Sequence, residues 1–107
     1  MASFFSKLFG GKSTDESGAP QRGEPVPYEG LLICAAPERA GDQWRLAGVI
    51  IKQGAGEDGG DLERSFLRAD TFGAREEAEA HAIRKGQQII DEQGERLFAD
   101  GAPTGRA

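Results

Sequence analysis

The chain has 107 residues, 13 Lys and Arg against 18 Asp and Glu, a formal net charge of −5, one Cys and 16 Gly. At this size it holds one small domain, and the totals exclude a membrane-spanning helix, a two-domain enzyme and a disulfide scaffold. They also weigh against a basic clamp for nucleic acid.

Residues 2–9 open the chain with a short amphipathic patch, Phe4, Phe5, Leu8 and Phe9, which about a turn and a half of helix would gather on one side. Alone, such a segment is too short to hold a helix in water. It reads either as a loosely held terminus or as a foot for a membrane surface or a partner, with Lys7 and Lys12 at its edge. It lacks the charged lead and the apolar length of an export signal, and with a lone cysteine this points to the cytoplasm.

Residues 10–27 read as a flexible linker, holding Gly10, Gly11, Gly18, Gly23, Pro20, Pro25 and Pro27. The run Gly11-Lys12-Ser13-Thr14 looks like the end of a phosphate-binding loop. The first glycine of that loop would fall at Ser6, and a Pro-rich stretch follows where a helix is required. Residues 1–27 balance Lys7, Lys12 and Arg22 against Asp15, Glu16 and Glu24, so the whole acidic excess lies in residues 28–107.

Three strand-like runs come next: 28–35, 43–52 and 62–70, each rich in branched or aromatic residues and bounded by Gly, Pro and Asp. The connectors, 36–42 with Pro37 and Gly41, and 53–61 with four Gly, suit antiparallel hairpins. Alternation puts Trp44, Leu46, Gly48 and Ile50 on one face and Arg45, Ala47, Val49 and Ile51 on the other. In the third run, Leu62, Arg64, Phe66 and Arg68 oppose Glu63, Ser65, Leu67 and Ala69.

Residues 74–93 predict a long helix, dense in Ala, Glu, Gln, Arg and Lys, with Glu76, Glu77 and Glu79 at its positive end and Gly94 as a stop. Gly73 is the expected N-cap. Ala78, Ala82, Ile83, Gly86, Ile89 and Ile90 share one stripe. Gly86 on that stripe predicts a close approach of helix backbone to sheet. Leu97 and Phe98 close the core, and residues 99–107 read as a disordered tail.

The expected architecture is α+β: a three-stranded antiparallel sheet followed by one long C-terminal helix packed on one face (β-β-β-α). Residues 1–27 form a flexible N-terminal segment, 28–98 a single α+β domain and 99–107 a tail. One helix covers one face of a sheet, so apolar surface is left for a partner, a second copy of the chain being one candidate. A unit of about seventy residues buries only about 60% of its unfolded surface, which gives self-association something to stabilise.

Reactive groups are scarce. His81 is the lone histidine and Cys34 the lone cysteine, each read as a packing residue. They would form a nucleophile–base pair only if the fold joined them. No zinc spacing occurs, and Glu57, Asp58 and Asp61 do not follow a calcium loop. No catalytic, metal or cofactor residue is assigned, and no cofactor is expected. The cations Arg45, Arg64 and Arg68 lie in the strands and are the candidate nucleic-acid contacts.

The runs Phe66-Leu67-Arg68-Ala69-Asp70-Thr71, Arg75-Glu76-Glu77-Ala78 and Arg84 through Phe98 resemble a small bacterial family labelled HlyU, after a haemolysin transcriptional activator. Phe5-Ser6-Lys7-Leu8-Phe9-Gly10-Gly11 and Tyr28-Glu29-Gly30 add to the likeness. The resemblance implies a non-enzymatic, cytoplasmic regulator of transcription, acting on DNA or on another regulatory protein. The alternative is a protein-interaction module, dimeric or not, of another role.

Overall fold

The computed structural model describes residues 22–107. The Phe-rich patch and most of the linker fall on residues 1–21, outside the described residues. Five strands make one antiparallel sheet: β1 Val26–Tyr28, β2 Leu31–Ala35, β3 Glu38–Ala40, β4 Gln43–Lys52 and β5 Leu62–Phe72. The helix α1, Arg75–Gln93, follows and runs into a 3-10 turn, Gly94–Phe98.

The α+β class and the single C-terminal helix match expectation, whereas the sheet has five strands, not three. The first expected strand is broken at Glu29-Gly30. Both residues take positive φ, 51° and 80°, and they make a two-residue hairpin that pairs Tyr28 with Leu31. The expected connector after β2 is itself a strand. The register that pairs Ala35 with Gly48 continues unchanged to Glu38 and Arg45, and the Ala36 N–H donates to the Ala47 carbonyl at 2.9 Å. Pro37 has no N–H to offer, so it splits one long strand into β2 and β3 without changing its course. Gly41, at φ 65°, then turns the chain into β4.

β4 is the centre. It carries β2 and β3 along one side and β5 along the other, with a register shift between Arg45 and Ala47. The helix opens from Ala74, not Gly73, with extended backbone and no side-chain cap, and it ends at Gly94, whose N–H donates to the Ile90 carbonyl.

The core lies between α1 and the face of Ile33, Ala35, Leu46, Ile50, Leu62 and Phe66, closed by Ala82, Ile89, Ile90, Leu97 and Phe98. Two glycines let these layers meet. Phe66 crosses Gly48, where a Cβ would lie 2.5 Å from its Cζ. Ile33 presses against Gly86 in the same way, as the helical stripe predicts.

Residues 99–107 run beside β5 as a ninth-hour addition to the sheet edge. Glu63 donates to the Pro103 carbonyl, Ser65 to the Gly105 carbonyl, and Ala107 to the Ser65 carbonyl, at 2.8–2.9 Å. Ser65 and Arg106 form a parallel bridge. The tail expected to be disordered is held in place by backbone bonds that its composition does not announce.

Candidate interaction face

Alternation along β4 gives the sheet two different surfaces. Trp44, Leu46, Gly48 and Ile50 face α1. On the far face, Cys34, Val49 and Ile51 form a second apolar cluster with Leu32 beside it. Among the described residues, no helix packs over this cluster, yet Cys34, Val49 and Ile51 are only 3%, 7% and 9% exposed.

Arg22 reaches onto the same surface. It is bonded at both guanidinium nitrogens to the two carboxylate oxygens of Glu63, at 3.1 and 2.9 Å. The Gly23 N–H donates to the Ala35 carbonyl, which sets the chain beside β2 as it arrives. The ion pair thus links the segment before β1 to β5, across the strands that hold Cys34 and Val49. The hydrogen bond from Arg22 holds the Glu63 carboxyl below its ordinary range, against a smaller desolvation effect. Burial pushes the Cys34 thiol up, with Arg22 pulling the other way.

Next to the cluster lies a groove of about 380 Å³, lined by Ala36, Glu38, Ala47, Val49, Leu67, Arg68 and Arg106 among others. Its floor is recessed where the small side chains of Ala36 and Ala47 leave space. Leu67 on its rim is 50% exposed, the one large hydrophobic side chain left that open among the described residues.

The three arginines expected to contact nucleic acid do not form a group. Arg64 is 2% exposed and points into the core side of the sheet. Its Nε donates to the Leu97 carbonyl, one terminal nitrogen to the Glu63 and Ala102 carbonyls, and the other to Asp100 at 2.7 Å. Its guanidinium also lies 4.8 Å from the centre of the Phe98 ring. With its donors committed to the 3-10 turn and the tail, Arg64 cannot reach a phosphate, and its role is to tie the C-terminal end to β5. Arg45 is half-buried, 3.8 Å from Glu38 across the hairpin. Arg68 donates to the Leu67 carbonyl and lines the groove.

Cys34 and His81 are kept apart by the sheet. Cys34 belongs to the far cluster, while His81 on α1 stacks on Phe72, ring centres 4.5 Å apart. The acidic loop bonds to itself: Asp61 accepts from the Gly54 N–H and Asp58 from the Gly60 N–H. Among the described residues, no three His, Cys, Asp or Glu gather as metal ligands, and no helix is long and apolar enough to cross a membrane.

Sequence reasoning passed over Arg22, Leu67 and Arg106. Leu67 was within reach of it, since an apolar residue sharing the parity of Glu63 and Ser65 lies on the wrong side of β5 for the core. Arg22 and Arg106 sit in segments that read as linker and tail, with no periodicity to place them.

A family model described as transcriptional activator HlyU matches residues 3–98 of the chain. No curated protein and no solved structure matches it.

Proposed function

The chain belongs to the HlyU family, and we propose that it regulates transcription without chemistry of its own, by contacting a regulatory protein through the far face of its sheet. The observation that carries this is the scattering of the strand arginines: one is buried, one sits beside a carboxylate, and one lines the groove alone among the three. Phosphate binding draws its strength from several cations acting together, and a chain of net charge −5 with no such stripe among the described residues repels a duplex at long range. The helix offers no substitute. Its apolar stripe is committed to the sheet, and its exposed positions include Glu76, Glu77, Asp91 and Glu92 against Arg84. An exposed Leu67 beside a groove floored by Ala36, Ala47 and Val49 suits a protein surface better.

Regulation in the cytoplasm is part of the same reading. A second reading, direct DNA contact, has one observation in its favour: Arg68 and Arg106 line the same groove. Retention of the full chain on mixed duplex DNA separates the two. At about 50 mM salt we expect no retention. Retention that falls steeply with salt, and that is lost in an Arg68→Ala/Arg106→Ala variant, would replace the protein-contact reading with the DNA one.

A further inference from the structure

We propose that the groove beside Leu67 receives an acidic segment of a partner protein. An apolar side chain of that segment enters over Ala36, Ala47 and Val49, and carboxylates next to it meet Arg68 and Arg106. The inference rests on the reading of this face as a protein-contact surface and adds the chemistry of what the face takes.

Three observations carry it. The first is open space with an apolar lining. The groove measures about 380 Å³, floored by Ala36 and Ala47, and Leu67 stands half exposed at its rim. That is room for an anchoring side chain, and an anchor seated there takes apolar surface of both partners out of water.

The second is charge. Acidic residues outnumber cations in this chain, 18 to 13. Arg22, Arg45, Arg64 and Arg75 are each paired with a carboxylate. Arg68 and Arg106 line one groove and have no carboxylate partner among the described residues. Glu38 lines it too, but Arg45 at 3.8 Å already offsets that charge. The groove is therefore a positive spot on an acidic chain, and a carboxylate-bearing segment complements it.

The third is preorganisation. The Ser65–Arg106 bridge and the bond from the Ala107 N–H to the Ser65 carbonyl fix the backbone of Arg106 at the sheet edge. One terminal nitrogen of Arg68 donates to the Leu67 carbonyl at 3.1 Å, which leaves its other donors for an incoming oxygen. Forks held in this way lose less freedom when a carboxylate arrives. A duplex would use the same two cations and leave the apolar floor and Leu67 unmatched.

Nuclear magnetic resonance titration of the full chain tests the proposal. The probes are the acetylated peptide Glu-Asp-Leu-Leu-Asp-Glu and its uncharged counterpart Gln-Asn-Leu-Leu-Asn-Gln. At low salt the acidic peptide should bind about tenfold more tightly. It should shift the amides of Ala47, Val49, Leu67 and Arg106 and spare those of Ile89 and Ile90 on the helix. Arg68→Gln/Arg106→Gln should abolish the preference, and Leu67→Ser should weaken both peptides together. Equal affinity for the two peptides, shifts confined to other surfaces, or no binding would overturn the proposal. So would a mixed duplex that shifts the same amides more strongly than the acidic peptide. Groove signals that move on dilution of the chain alone would overturn it too, since the occupant would then be a second copy. Transcript profiles of cells carrying Leu67→Asp keep the two readings apart. A peptide preference with unchanged profiles sustains the groove's chemistry and removes the regulatory role. Changed profiles without a peptide preference do the reverse.

Discussion

A Cβ built on Gly86 would lie 2.6 Å from Cγ2 of Ile33, so α1 and β2 meet with no room for one more methyl group. Helix propensity argues the other way, since alanine is favoured over glycine in a helix interior by about 1 kcal/mol. Contact wins, because Ile33 is fully buried and has nowhere to move. Gly86→Ala should destabilise the domain by about 1–3 kcal/mol in urea unfolding, the usual range for overpacking. Gly73, with nothing within 4 Å of its would-be Cβ, is the control, and Gly73→Ala should fall within about 0.5 kcal/mol of the parent.

Arg64→Met removes the donors to Leu97, Ala102 and Asp100 together. The orphaned carbonyls predict a loss of about 2–4 kcal/mol, together with faster amide exchange at Ser65 and Ala107. Arg64→Lys should recover little, since a single ammonium cannot reproduce a fork that spans several acceptors. Asp100 is 73% exposed on its side chain, so Asp100→Asn should cost less than about 1 kcal/mol.

The Arg22–Glu63 pair gives stability a dependence on acid. The Glu63 carboxyl titrates below its ordinary value in the folded chain. Its contribution is therefore fully present above the unfolded value, about 4.3, and fades as pH falls through the folded one. Both side chains are about a third exposed or more, which caps the effect near 1 kcal/mol. Urea unfolding at pH 7 should find Glu63→Gln slightly weaker than the parent. Below about pH 3 the two should converge.

Tyr28 is the sole tyrosine, so its phenol can be followed by ultraviolet absorbance without interference. Its hydroxyl donates to Asp91 at 2.8 Å, and that bond holds the phenol proton above its ordinary value. Asp91→Ala should shift the absorbance midpoint down toward about 10. A midpoint that does not move would show that β1 and α1 are not joined by this bond in solution.

Much of this architecture was legible beforehand, for identifiable reasons. β4 spans Gln43–Lys52 as its branched residues indicate, and α1 starts within a residue of its expected position. These elements are long, and their periods are strong. The hairpin at Glu29-Gly30 was hidden because glutamate rarely takes a positive φ. β3 was hidden by Pro37, a residue that commonly ends a strand and here only interrupts one. Arg64 misled for a related reason: its parity with Leu62 and Phe66 marks the core side, yet a guanidinium there suggests solvent until its carbonyl partners are known. Those partners come from the tail, which has no pattern to read. On the far face, the apolar side chains could be listed from alternation, whereas Arg22 above them could not.

The pairing of residues 103–107 with β5 has a practical corollary for anyone producing the protein. Outward amides at Glu63 and Ser65 are quenched by that stretch. A version trimmed after Phe98 would display them as a sticky selvedge, ready to recruit strands from neighbouring molecules. Its failure would show up as turbidity and fibrous deposits in the tube rather than as a weaker melting curve.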